Sequence, residues 1–167
     1  LKMSSNLPAI YKKLMEPNSV AAVMKVLPRA TGDLGNDMAE RFMKMAYAVI
    51  ADNPALQGLD PTSFVKAACI SASMDLDIDP RGLAYLVPYK GKAAFQIGYM
   101  GLIELAYRSG KVQSVSAHVI YEGEKSRVTI TRINGEFTVD HPFSYDRPTG
   151  EVVAVYATAR LKDHGAV

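Results

Sequence analysis

The chain carries a single cysteine, Cys69, in 167 residues, and that scarcity removes two architectures at once. One thiol closes no internal disulfide and builds no cysteine-based zinc cage, and it fits a reducing, cytoplasmic setting. Long apolar runs are missing too. The longest, Met45 to Ala51, has seven residues, against the ~20 that a membrane helix needs. No secretory leader opens the sequence, and its first residue, Leu1, fits a segment of something longer. Excess charge of one sign is also absent: nineteen Lys and Arg meet seventeen Asp and Glu, a net of +2. That sum neither demands nor forbids a nucleic-acid partner. Familiar catalytic signatures are lacking as well. There is no Gly-x-Ser-x-Gly elbow, no Walker phosphate loop and no HExxH spacing among His118, His141 and His164, which read as strand or loop residues rather than ligands. Bond-breaking chemistry is therefore not expected.

What is present suits a folded domain. A content of 49% hydrophobic and 22% charged residues is that of a globular protein, not a disordered one. The first 80 residues read as helices. Ile10 and Leu14, then Val20, Val23, Met24 and Leu27, fall at helical spacing, punctuated by Pro17-Asn18-Ser19 and Pro28. A longer helix is expected from about Asn36, as N-cap, to Asn53-Pro54, with Met38, Phe42, Met45, Ala46, Val49 and Ile50 as its apolar stripe. Asp60-Pro61 caps a further helix to about Met74.

The period then changes. Leu83–Tyr89 and Lys92–Tyr99 read as a hairpin closed by Lys90-Gly91. Met100–Ser109 returns to helix, with Gly110 beyond its end. Strands are expected over 112–121, 127–133, 136–139 and 151–161, with turns at Asn134-Gly135 and Arg147-Pro148-Thr149-Gly150. The fold class is α+β: a helical N-terminal half followed by a mainly antiparallel sheet with an inserted helix. One domain is expected over 1–167, with helices to about 80 and a sheet-rich core over 81–162.

Two motifs invite a chemical reading. Asp75, Asp77 and Asp79 alternate as Mg²⁺ or Ca²⁺ ligands would, but an EF-hand loop needs glycine at its sixth position and glutamate at its twelfth. Pro80 and Leu86 stand there, so the segment reads as a polar turn with Leu76 and Ile78 pinned to the core. Gly98-Tyr-Met-Gly101 matches a GxxG loop, and glycines at a strand-to-helix junction would let a phosphate approach the helix N-terminus. Cys69, on the inner face of a helix, reads as a small hydrophobe.

Locating the charge is more informative than summing it. Residues 81–127 hold Arg81, Lys90, Lys92, Arg108, Lys111, Lys125 and Arg127 against Glu104, Glu122 and Glu124, a local +4, while each flank comes to −1. Tyr85, Tyr89, Phe95, Tyr99 and Tyr107 are interleaved with these bases. Single-stranded nucleic-acid grooves combine cations for phosphates with rings for bases. The same residues also suit a sheet whose aromatics face the core and whose lysines are merely wet. Both readings stand on composition.

The segments Pro54-Ala-Leu, Asp60-Pro-Thr-Ser-Phe, Ala84-Tyr-Leu-Val-Pro-Tyr-Lys-Gly-Lys and Phe95-Gln-Ile-Gly-Tyr-Met-Gly-Leu-Ile-Glu-Leu-Ala-Tyr-Arg-Ser-Gly, with His118-Val-Ile-Tyr-Glu-Gly, resemble the RecT family of phage-type recombinases, related to the Redβ annealing proteins. The resemblance runs from about residue 36 to 162. It implies binding of single-stranded DNA without sequence preference and annealing of complementary strands in the cytoplasm of a bacterial host. It further implies rings or helical filaments of identical subunits, no need of ATP or other cofactor, and work beside an exonuclease and a host single-strand-binding protein. A role for Mg²⁺ stays open, with no residue pattern here to support it. Carried onto this sequence, it assigns Lys90, Lys92, Arg108 and Lys111 to phosphates, with Arg81 in the same basic window. Gln96 receives a polar backbone or sugar contact, and Tyr99 either touches DNA or packs the helix on the sheet. Two departures stand out: Met100 occupies a position where relatives usually carry lysine, and the sequence stops at Val167, short of the C-terminal helical stretch that relatives carry.

Overall fold

The computed structural model describes residues 6–28, 30, 32–133, 135–142, 144 and 148–162. Helices α1 (Leu7–Leu14), α2 (Pro17–Val26), α3 (Gly32–Asp52) and α4 (Pro61–Ser73) come first. Strands β1 (Ala84–Tyr89) and β2 (Lys92–Ile97), helix α5 (Tyr99–Arg108) and strands β3 (Val112–Tyr121), β4 (Thr129–Ile133), β5 (Glu136–Asp140) and β6 (Val152–Leu161) follow. The α+β reading holds, inserted helix included. The strands form three separate two-stranded antiparallel sheets, β1-β2, β3-β6 and β4-β5. Sequence periodicity marks strands, but the partner of each is chosen by contacts distant along the chain.

The chain folds as two compact units, Leu1–Arg108 and Ser109–Val167. By compactness β1, β2 and α5 go with the helices. In this first unit the apolar stripes of α1 to α4 converge on Ile10, Leu14, Met43, Ile50 and Phe64, all essentially inaccessible to solvent. Pro17 starts α2 and Asp60 caps α4 by accepting the Thr62 N–H at 3.1 Å. Helix α3 begins at Gly32, four residues before the expected Asn36 cap. Gly35 lies in this extra turn in close packing: a Cβ there would come 3.0 Å from the Ala30 backbone and from the end of the Met24 side chain.

In the second unit, β3 and β6 form a ribbon in the register Ser116↔Thr158 and His118↔Tyr156. Strands β4 and β5 form a hairpin ending on Ile133↔Glu136. Gly135 in its turn has φ 89°, whereas Asn134 lies outside the described residues, as do Arg147 of the second expected turn and His164. Among the described residues no helix is long and apolar enough to cross a membrane.

Candidate nucleic-acid interface

The β1–β2 hairpin is built by its turn. Lys90 and Gly91 have φ of 48° and 74°, the positive values at both central positions that a type I′ turn requires. Glycine adopts this backbone freely and lysine does so at a cost. The ladder that follows pairs Tyr85↔Gln96, Leu86↔Phe95, Val87↔Ala94 and Tyr89↔Lys92. Because side chains alternate, Ala84, Leu86, Ala93, Phe95 and Ile97 face the helices. Ala84, Leu86 and Ala93 are buried, and Phe95 and Ile97 pack against the core. Tyr85, Tyr89, Lys92 and Gln96 share the opposite, exposed face.

Helix α4 holds the hairpin in place. The buried Ser63 hydroxyl accepts the Ala93 N–H at 2.8 Å and donates to the Asp60 carbonyl at 2.6 Å. The Asp60 N–H in turn donates to the Gly91 carbonyl at 3.2 Å. The turn carrying Lys90 and Lys92 is thus tied to the capped end of a helix.

Alternation divides the aromatics between the two faces. Phe95 belongs to the core, whereas Tyr85, Tyr89 and Tyr99 are 45%, 61% and 71% exposed. Tyr89 belongs to the hairpin that the resemblance points to, with no contact assigned to it, and Tyr85 is not among those residues; the two flank Gln96 and Lys92 on one face. The signal was their odd-numbered parity with Val87, opposite to buried Leu86. The Lys90 ammonium sits 5.2 Å from the Tyr89 ring centre, within cation–π range.

The glycines of the GxxG motif have a packing role. A Cβ on Gly98 would strike the Gly82 carbonyl and come within 2.9 Å of the Tyr85 ring, and one on Gly101 would strike the Leu83 carbonyl. With the Gly98 N–H donating to Leu83 at 3.0 Å, these contacts seat the start of α5, with Tyr99 as its first residue, against the segment before β1.

The five basic candidates divide by their partners. Arg81 donates to Asp79 at 2.6 Å and to Asp77 at 2.5 Å. The Asp79 hydrogen bond, ahead of the carboxylates' charge, raises its already high pKa. Arg108 donates to the Met74 and Asp75 carbonyls at 3.0 and 2.9 Å and lies 3.3 Å from Glu104, fastening α5 to the C-terminal end of α4. The alternating aspartates are therefore engaged by arginines, while Leu76 and Ile78 between them are buried as expected. No three metal-ligating side chains converge among the described residues. Lys90 and Lys92 are exposed with no carboxylate partner among the described residues. Lys111 is exposed in the second unit, its carbonyl accepting from the Lys162 N–H at 2.8 Å. Cys69 is half-buried against the core, and burial pushes its thiol pKa up, away from the reactive thiolate.

A rigid hairpin with one buried face and one exposed face of rings, amide and ammonium groups defines a surface suited to an anionic chain bearing flat bases. The sequence comparisons give the family: residues 40–166 match the RecT family model, and the chain belongs to that family. It is 37% identical over 139 residues to Protein RecT of Escherichia coli (strain K12), covering 76% of this chain and 49% of that protein. It is 41% identical over 87 residues to the uncharacterized protein YqaK of Bacillus subtilis (strain 168), covering 52% of this chain and 31% of that protein. The chain thus spans half or less of the length of these relatives.

Proposed function

We propose that this chain binds single-stranded DNA without reading its sequence and pairs it with a complementary strand, in recombination of the phage type. The observation carrying this reading is the exposed row Tyr85, Gln96, Tyr89 and Lys92, with Lys90 at its tip, on a hairpin whose other face is locked to the helices. Rings in such a row stack bases at about 1–3 kcal/mol each regardless of identity. Lys90 and Lys92 take phosphates, and Gln96 takes a backbone or sugar group. Lys111, exposed in the second unit, is a separate phosphate contact. Arg81 and Arg108 contribute mainly by positioning, since carboxylates and carbonyls already occupy them. Tyr99, exposed at the start of α5, is placed to touch the strand. Binding one strand extended leaves its bases open to a partner, and base pairing supplies the specificity.

Such a protein works without ATP or a metal ion, on electrostatics and geometry alone, in the cytoplasm. Association into rings or filaments is supported by the bare apolar face of the ribbon, where Ala117, Val119, Val153, Val155, Ala157 and Ala159 are all exposed. An exonuclease and a host single-strand-binding protein are the partners that the family membership suggests. The test is annealing of two labelled complementary oligonucleotides in EDTA without nucleotide. The chain should accelerate pairing of complementary strands and leave identical ones unpaired. Tight binding with no acceleration would favour a protective single-strand-binding module.

A further inference from the structure

The two faces of the β3–β6 ribbon differ sharply. Opposite the apolar face, alternation places Ser114, Ser116 and His118 of β3 beside Arg160, Thr158 and Tyr156 of β6. His118 and Tyr156 stack across the strands with ring centres 5.1 Å apart and planes 25° apart. The Ser116 and Thr158 hydroxyls meet at 2.8 Å. At the His118 end lies a cavity of about 550 Å³, lined by His118, Glu124, His141, Tyr156 and Thr158, a size usual for a small-ligand site.

The cavity has an organised polar wall. His141 Nδ1 lies 2.9 Å from the Tyr156 hydroxyl, and its Nε2 lies 3.5 Å from the Glu124 carboxylate. That carboxylate is buried and accepts the Tyr121 N–H at 3.2 Å. Tyr156 and His141 are thereby fixed, while the His118 ring remains exposed beside them. Nothing in the hairpin reading uses these groups.

We propose that this polar face is a second contact for single-stranded DNA, resting on the function proposed above, and that it takes one unstacked nucleotide. The base lies on the exposed ring of His118 at the rim of the cavity, which leaves its pairing edge open. Arg160, about 13 Å along β6 from Tyr156 at the usual strand rise, receives a phosphate further along the same strand. The paired hydroxyls of Ser116 and Thr158 lie between them, level with the sugar–phosphate chain.

Oligo-dT containing 5-iododeoxyuridine, photocrosslinked to the 167-residue chain and mapped by mass spectrometry, should label His118 or Tyr156 as well as the hairpin. Label confined to residues 84–99 would overturn the proposal. His118→Ala should weaken oligo-dT binding about tenfold, and His118→Phe, which keeps a ring, should restore it. Arg160→Gln should lower the salt slope of binding by about 0.7. Wild-type affinity in all three variants, in a protein that Lys90→Ala/Lys92→Ala still weakens, removes this second contact alone. Absence of any oligo-dT binding by the wild-type chain removes both readings. Displacement of the oligonucleotide by an equal concentration of thymidine monophosphate would assign the cavity to a free nucleotide instead and overturn the strand contact. If His118→Ala fails to fold, the wild-type crosslink decides.

Discussion

The hairpin β1–β2 and the ribbon β3–β6 are both two-stranded antiparallel ladders, yet they stand in opposite relations to a core. Six-residue strands in the hairpin bury Ala84, Leu86 and Ala93 under the helices and are pinned through Ser63. Ten-residue strands in the ribbon leave nearly every side chain accessible, with Val155 70% exposed. An isolated two-stranded ladder is marginal in water. The hairpin gains its rigidity from what lies beneath it. What fixes the ribbon is concentrated at the Glu124–His141–Tyr156 cluster on its polar face.

Substitutions can break that contrast. Leu86→Ala should cost about 2–5 kcal/mol in denaturant unfolding, because the helices cannot close over the void. Ser63→Ala should cost about 1–3 kcal/mol, since the buried Ala93 N–H loses its acceptor, and should speed hydrogen exchange at the β1–β2 amides. Lys90→Gly relieves the left-handed backbone and should raise stability by up to about 1 kcal/mol. It should also lower oligo-dT affinity, so that stability and binding move in opposite directions. Val155→Ala, the ribbon counterpart of Leu86→Ala, should shift unfolding by no more than about 0.5 kcal/mol. A loss as large as that of Leu86→Ala would erase the distinction between the two ladders.

Helix and strand positions were largely legible in the sequence, because apolar spacing and the Pro, Asn and Gly punctuation act locally. Lys90-Gly91 closes its hairpin as its residue types indicate, and Asp60 caps α4. Strand partners were not legible, and three small sheets stand where one was expected. The first turn of α3 brings Gly35 close to Met24 and Ala30, a contact no local pattern announces. At the candidate interface the basic window was visible, but the pairing of Arg81 with Asp77 and Asp79, and of Arg108 with Asp75 and Glu104, depends on the fold. Strand parity could have separated Tyr85 and Tyr89 from the core-facing Phe95. It could not have shown that Gly82 and Gly98 make room for the Tyr85 ring.

The central claim is that two exposed lysines on an anchored hairpin, without carboxylate partners among the described residues, hold the phosphates of a single strand. Salt titration of oligo-dT binding, wild type against Lys90→Ala/Lys92→Ala, tests it most directly. At about −0.7 per neutralised phosphate, losing both lysines should make the slope of log K against log[salt] shallower by about 1.4 per subunit and weaken binding at low salt. Equal slopes and equal affinities in the two proteins would contradict it.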